Sequence, residues 1–202
     1  YQINEDYIGD FWFDSELIHL PFVQGKDNGE YLYTDWKTME ELSEGSAFMD
    51  YRNQLDDQNI IMYGHYVYEY KDPTRTRMFT PLQLLKEEEN YEENKFFNVL
   101  LNGKLRRYQI AVVFYCPLYF ENGYAYPYSN MRYNMPNYER EYFEEYKKAI
   151  YEQQFYDSGV EIMYEDKLMT FQTCVENRED LRLIIVAKMI EEIDTYPEKG
   201  DK

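Results

Sequence analysis

Cys174, His65 and Arg182 are a thiol, an imidazole and a guanidinium, and each stands at one end of an apolar run in a chain of 202 residues. A thiolate attacks carbonyl carbon, and an imidazole carries protons near neutral pH. A guanidinium does not lose its proton, so it serves as a fixed donor to a developing oxyanion. Together they are the parts for covalent acyl transfer. Cys174 closes Lys167-Leu-Met-Thr-Phe-Gln-Thr-Cys174, and Arg182 stands eight residues later, just ahead of Leu183-Ile-Ile-Val-Ala187. His65 ends the word Met62-Tyr-Gly-His65. Spacing alone leaves a structural role open for each, because a strand cysteine often packs as a small hydrophobe. The second histidine, His19, is flanked by Leu17, Ile18 and Leu20 and reads as a packing or hydrogen-bonding residue. Arg178 also follows Cys174, but it lies in a polar stretch, whereas Arg182 abuts the strand.

The other cysteine, Cys116, ends Ile110-Ala-Val-Val-Phe-Tyr-Cys116 and reads as a buried packing residue. Two cysteines are too few for a disulfide scaffold, and their spacing suits no metal. One Cys116–Cys174 bridge, in a non-enzymatic acidic surface-binding domain, remains an alternative. The acidic run Glu87-Glu-Glu89 reads as a solvated helix end rather than a calcium site, and no metal or cofactor is expected.

The elements that must position these groups are mostly strands. Apolar runs at 8–13 and 17–23 read as strands around the turn Asp14-Ser-Glu16, and 31–33 as a short extended piece. Residues 38–44 suit a helical turn, 45–51 alternate as a strand, and 59–63 form a buried strand ended by Gly64. Thr80 and Pro81 predict a helix start, with Thr80 as N-cap. Asn102-Gly103, between the apolar runs 95–101 and 105–116, is a hairpin signal. Residues 66–77 and 118–137 read as loops. Tyr138, Tyr142, Tyr146 and Ile150 recur every four residues beside Phe143, which predicts a helix over 138–155. Strands are expected at 160–164, 168–174 and 182–189. About eight strands and two helices without βαβ alternation favour one mainly antiparallel barrel or sandwich spanning 1–202.

Composition narrows the function. Lys and Arg number 21 against 39 Asp and Glu, a formal charge of −18 with no basic stripe, which repels phosphate backbones and argues against nucleic acid. No apolar run is long enough to span a membrane. The chain starts at Tyr1 without a signal peptide, as though an N-terminal anchor preceded it. The 24 tyrosines follow no repeat and read as amphipathic packing residues.

Several words, in order, resemble the class B sortases. They are Pro21-Phe-Val-Gln24 with Asp27-Asn28, then Gly45-Ser-Ala-Phe-Met-Asp-Tyr-Arg-Asn53, Ile61-Met-Tyr-Gly-His65, Met78-Phe79, the helix at 138–155, and Thr173-Cys174 with Arg182 before an apolar strand. The likeness runs from about Ile8 to Ile190. It implies a closed eight-stranded β-barrel with helical insertions and a cysteine transpeptidase on the outer face of a Gram-positive cell membrane. By that resemblance Cys174 is the nucleophile, His65 the general acid and base, and Arg182 the oxyanion and substrate stabiliser. Thr173, Gln172, Tyr63 and Asn28 would contact substrate. The implied partners are surface proteins bearing a C-terminal sorting signal. The acceptor is a peptidoglycan cross-bridge amine or, alternatively, a pilin lysine. Contact with membrane would be only through the missing anchor. Two positions depart from the family pattern: Gln172 stands where Ser is usual, and Tyr66 where Asn or His is usual. A papain-like enzyme does not fit, since there the cysteine precedes the histidine.

Overall fold

The computed structural model describes residues 4–67, 78–117 and 134–195. Eight strands close into a barrel in the order β1-β2-β3-β4-β7-β8-β6-β5. They are β1 (Tyr7–Phe13), β2 (His19–Val23), β3 (Phe48–Met49), β4 (Asn59–Tyr63), β5 (Phe96–Leu101), β6 (Lys104–Pro117), β7 (Leu168–Val175) and β8 (Arg178–Asp194). Most neighbours are antiparallel, but β2–β3 and β4–β7 are parallel. The barrel expected from the sequence is therefore present. Two parallel seams are an addition that periodicity does not reveal.

Alternation along the strands fills the interior. Phe11, Phe13, Phe22, Phe97 and Phe171 point inward and are fully or almost fully buried, and Phe79 joins them from a 3₁₀ segment's entry. Their rings meet at centroid distances such as 5.2 Å (Phe11–Phe171) and 5.5 Å (Phe79–Phe171). Each such ring stabilises the fold by about 2–3 kcal/mol relative to exposure. At the β5–β6 turn Asn102 (φ 49°) and Gly103 (φ 73°) both take positive φ, as a two-residue hairpin demands.

The chain has two α-helices among the described residues, α1 (Tyr91–Asn94) and α2 (Arg140–Gln153). Helix α2 buries Phe143, Tyr146 and Ile150 against the outer face of β6 and β8, with Tyr138 stacked on Tyr146. Tyr142, part of the expected stripe, faces solvent.

Several local expectations are corrected. Residues 160–164 form no strand: Ile162 packs under α2, and the Tyr151 hydroxyl binds both Val160 O (2.6 Å) and Ile162 N (3.0 Å) in place of a neighbouring strand. Residues 38–44 hold no helix. Asp35 Oδ1 accepts from Lys37 N and Thr38 N, and Met39 takes φ 59°. Residues 31–33 are a turn, and only Phe48–Met49 of 45–51 is strand. The segment Thr80–Lys86 is a 3₁₀ helix with no side-chain cap; the Thr80 hydroxyl instead bonds Val67 N and O. Residues 88–94 continue as further 3₁₀ and α turns beyond the start of the acidic run. Strand β8 begins at Arg178, so Arg178 lies on the strand rather than in a loop. The expected loops at 66–77 and 118–137 fall largely outside the described residues.

Candidate active site

The site forms where β4 leaves the barrel. Tyr63 pairs with Gln172 in the parallel β4–β7 seam, and Gly64 N donates to Gln172 O at 3.4 Å. Two residues beyond each partner lie His65, just past the end of β4, and Cys174, near the end of β7. Gly64 is required there, because a Cβ would lie 2.6 Å from the Phe79 ring. On the other side of β7, Cys174 is directly paired with Arg182 of β8. Directly opposed residues in an antiparallel pair share a face. Cys174 and Arg182 therefore share the barrel's outer face, beyond the part covered by α2. The structure thus pairs Cys174 with Arg182 and sets His65 two residues past the end of β4, the strand on the other side of β7.

His65 is oriented from its far side. Its Nε2 lies 2.7 Å from Leu32 O, and a carbonyl can only accept, so Nε2 carries the proton. In the neutral ring Nδ1 is then the basic atom. Tyr33, itself largely exposed, lies against the ring at a centroid distance of 5.2 Å. No described hydrogen bond joins the imidazole to the thiol.

Arg182 donates to Glu179 O (3.1 Å) and Leu181 O (2.9 Å) and forms no ion pair among the described residues. Arg178 is exposed, and its guanidinium is held by Asp180 through two contacts of 2.8 Å. Its strand partner is Val175 rather than Cys174. The geometry separates the two arginines by neighbour and by availability.

Arg182 also opposes Cys116 on β6. The two cysteines therefore flank the same arginine with β8 between them, and both are free thiols. Two strand spacings of about 4.8 Å each exceed the Cα separation a disulfide tolerates, so the Cys116–Cys174 bridge is ruled out in this fold. Burial pushes the Cys116 thiol up to about 11, against the opposing influence of Arg182. Cys174 is partly exposed. Iodoacetamide at neutral pH is expected to modify Cys174 alone in the folded protein and Cys116 only after denaturation. Peptide mapping checks this, and a labelled Cys116 in the native chain would contradict its burial.

Gln172, Tyr63 and Asn28 meet in one buried polar network, whose centre the sequence reading missed. Asp50, wholly buried, accepts from Arg52 Nε and Nη2 (both 2.8 Å), Asn28 Nδ2 (3.0 Å) and Tyr63 Oη (2.8 Å). Asn134 Nδ2 donates to Tyr63 Oη (3.1 Å), and Gln172 Nε2 donates to Asn134 Oδ1 (3.3 Å). Burial alone would raise the Asp50 carboxyl, but hydrogen bonds from Arg52, Tyr63 and Asn28 outweigh it and hold it below the usual carboxylate range. Burial, then the Asp50 charge, pushes the Tyr63 phenol far up, so Tyr63 stays a donor. Gln172 stands at the far end of this network, and its Oε1 is buried without a hydrogen-bond partner among the described residues. Thr173 alternates to the inner face and is buried there, so it reaches a substrate only through its main chain. Asp50 and Arg52 lie in a word that resembles the family, so the signal was present. Asn134 carried none.

Among the described residues no group of three His, Cys, Asp or Glu could hold a metal, and Glu87, Glu88 and Glu89 are exposed. No described helix is long and apolar enough to cross a membrane.

No family model matches the chain. It is 28% identical over 193 residues to sortase B of Staphylococcus aureus, spanning 94% of this chain and 72% of that protein. It is 27% identical over 193 residues to sortase B of Listeria monocytogenes, with the same coverage. Among solved structures, sortase B of Clostridium perfringens superposes with a TM-score of 0.78 at 27% identity, covering 94% of this chain and 96% of that one.

Proposed function

The chain is a homologue of the class B sortases, and on that footing we propose that it is a cysteine transpeptidase joining a surface protein to an amine. One observation supports the reading: Cys174 and Arg182 are direct cross-strand partners, and His65 follows directly on β4, the strand on the other side of β7.

The proposed reaction has two halves. Cys174 gives its proton to His65 Nδ1, and the resulting thiolate attacks the carbonyl carbon of the scissile residue in a C-terminal sorting signal. Charge develops on the carbonyl oxygen, and the Arg182 guanidinium meets it without reorganising. The C–N bond then breaks, the proton on His65 Nδ1 passes to the leaving amine, and a thioacyl-enzyme remains. An incoming amine attacks the thioester and loses its proton to Nδ1, and the thiolate leaves. Tyr63 and Asn28, both partly exposed, line the approach to Cys174 as substrate contacts, Gln172 lies buried behind them holding Asn134, and Thr173 contributes main-chain groups. We place the enzyme on the outer face of a Gram-positive cell membrane. The acceptor is a peptidoglycan cross-bridge amine.

A panel of sorting-signal peptides, incubated with cross-bridge-like amines or with a lysine-bearing pilin peptide, tests this. Cleavage with transfer to the cross-bridge amine is expected. Transfer only to lysine would move the acceptor to pilin subunits, and no cleavage of any peptide would remove the reading. Arg182→Lys keeps the charge but loses the planar fork. It is expected to lower kcat/KM by roughly 10²-fold, measured on the best peptide.

A further inference from the structure

Strand β4 ends at Tyr63, yet β7 continues to Val175. Carbonyls alternate in direction along a strand, so Cys174 O points to the same side as Gln172 O, which accepts from Gly64 N. The next β4 residue in register would be Tyr66. It is bridged instead to Met78. The main-chain oxygen of Cys174 has therefore lost its strand partner at the very place where the site opens. Beyond Cys174 the β7–β8 register also slips, from Cys174↔Arg182 to Val175↔Arg178.

Gln83, on the inner 3₁₀ segment, fills this gap. Its Nε2 donates to Cys174 O at 3.1 Å, across 91 residues of sequence. The orientation of the amide is fixed, because only the NH₂ end can serve a carbonyl. That leaves Gln83 Oε1 buried without a hydrogen-bond partner among the described residues. An apolar side chain would avoid this cost, so packing does not explain a glutamine here. Thr173 Oγ1 and Gln172 Oε1 are also buried and unpartnered, so polar atoms left unsatisfied gather around the Cys174 peptide.

Building on the proposed chemistry, we propose that Gln83 is a positioning residue for the nucleophile. Its amide replaces the missing strand, fixes the Cys174 peptide plane at the end of β7, and so sets where the thiol stands relative to Arg182 and His65. It touches no reacting atom.

Gln83→Met preserves length and removes the donor, whereas Gln83→Lys restores one. Two readouts apply to the full chain. The first is the rate of Cys174 alkylation by iodoacetamide across pH, which needs no substrate. The second is the split between kcat and KM on a cleaved peptide. Q83M is expected to shift the alkylation profile and to lower kcat about five- to tenfold with KM unchanged. Q83K is expected to recover most of this. Wild-type alkylation and kcat in folded Q83M would overturn the proposal, as would a Q83K protein no better than Q83M. If Q83M does not fold, Q83E decides: a carboxylate facing Cys174 O is expected to lower alkylation and kcat, and wild-type behaviour would overturn the proposal. Failure of every peptide with wild-type enzyme would remove the transpeptidase reading, while the alkylation profile would still decide the role of Gln83.

Discussion

The Cys174→Ala protein is expected to lose peptide cleavage by roughly 10⁴-fold or more while remaining folded. Without the thiol, Arg182 and His65 can polarise a carbonyl and move a proton, but no atom in the site forms the acyl bond. Only slow attack by water would remain. The loss is chemical rather than structural, because Cys174 is partly exposed on the outer face near the end of β7, and its removal opens no interior void. Cys116→Ala provides the contrast. It removes a buried sulfur, costs about 1 kcal/mol of stability, and leaves kcat/KM near wild type. Initial rates on one cleaved peptide, with thermal melts of all three proteins, check both. If Cys174→Ala retained a tenth of wild-type cleavage, the nucleophile would lie elsewhere.

Replacing Asp50 is expected to have the largest effect on stability. Its carboxylate is inaccessible to solvent and serves Arg52, Asn28 and Tyr63. Asp50→Ala leaves these donors facing a void. Arg52 is 37% exposed and can turn to water, so the cost stays at about 2–3 kcal/mol rather than that of a fully buried pair. The pH dependence has a definite sign. The folded carboxyl is held below its unfolded value, so its contribution is complete above about pH 4 and fades as pH falls through the folded value. Urea midpoints measured from pH 7 down to pH 3 should therefore converge for wild type and Asp50→Asn at the acid end. Curves that stay parallel would mean that Asp50 does not titrate with folding.

Features set by short-range chemistry were legible in the sequence. Asn102-Gly103 marked a hairpin because both positions need positive φ. The apolar run at 168–174 and the thiol at its end could be read directly. The strand expected at 160–164 illustrates the limit: its alternation is real, but the Tyr151 hydroxyl and the underside of α2 satisfy it without a neighbouring strand. Thr80 failed as a cap for a similar reason, since Val67 offers its hydroxyl both a donor and an acceptor. Cys174, His65 and Arg182 were visible by type, position and resemblance. The groups that hold them were not. Leu32 contributes only a carbonyl, the Asp50 carboxylate gathers partners from three segments, and Gln83 matters because of where β4 stops. None of these leaves a pattern along a single stretch of chain.

The parallel β4–β7 seam has a kinetic consequence. It joins residues such as Asn59 and Thr170, 111 apart in sequence and linked by a 2.8 Å side-chain hydrogen bond. Closing so long a loop is entropically slow, and the hairpins β5–β6 and β7–β8 can form before it. The sulfur and the imidazole lie on opposite sides of this last closure. During refolding the thiol would therefore exist on a well-formed hairpin before it has a proton carrier, and hydrolytic competence would arrive with the final phase rather than in proportion to secondary structure.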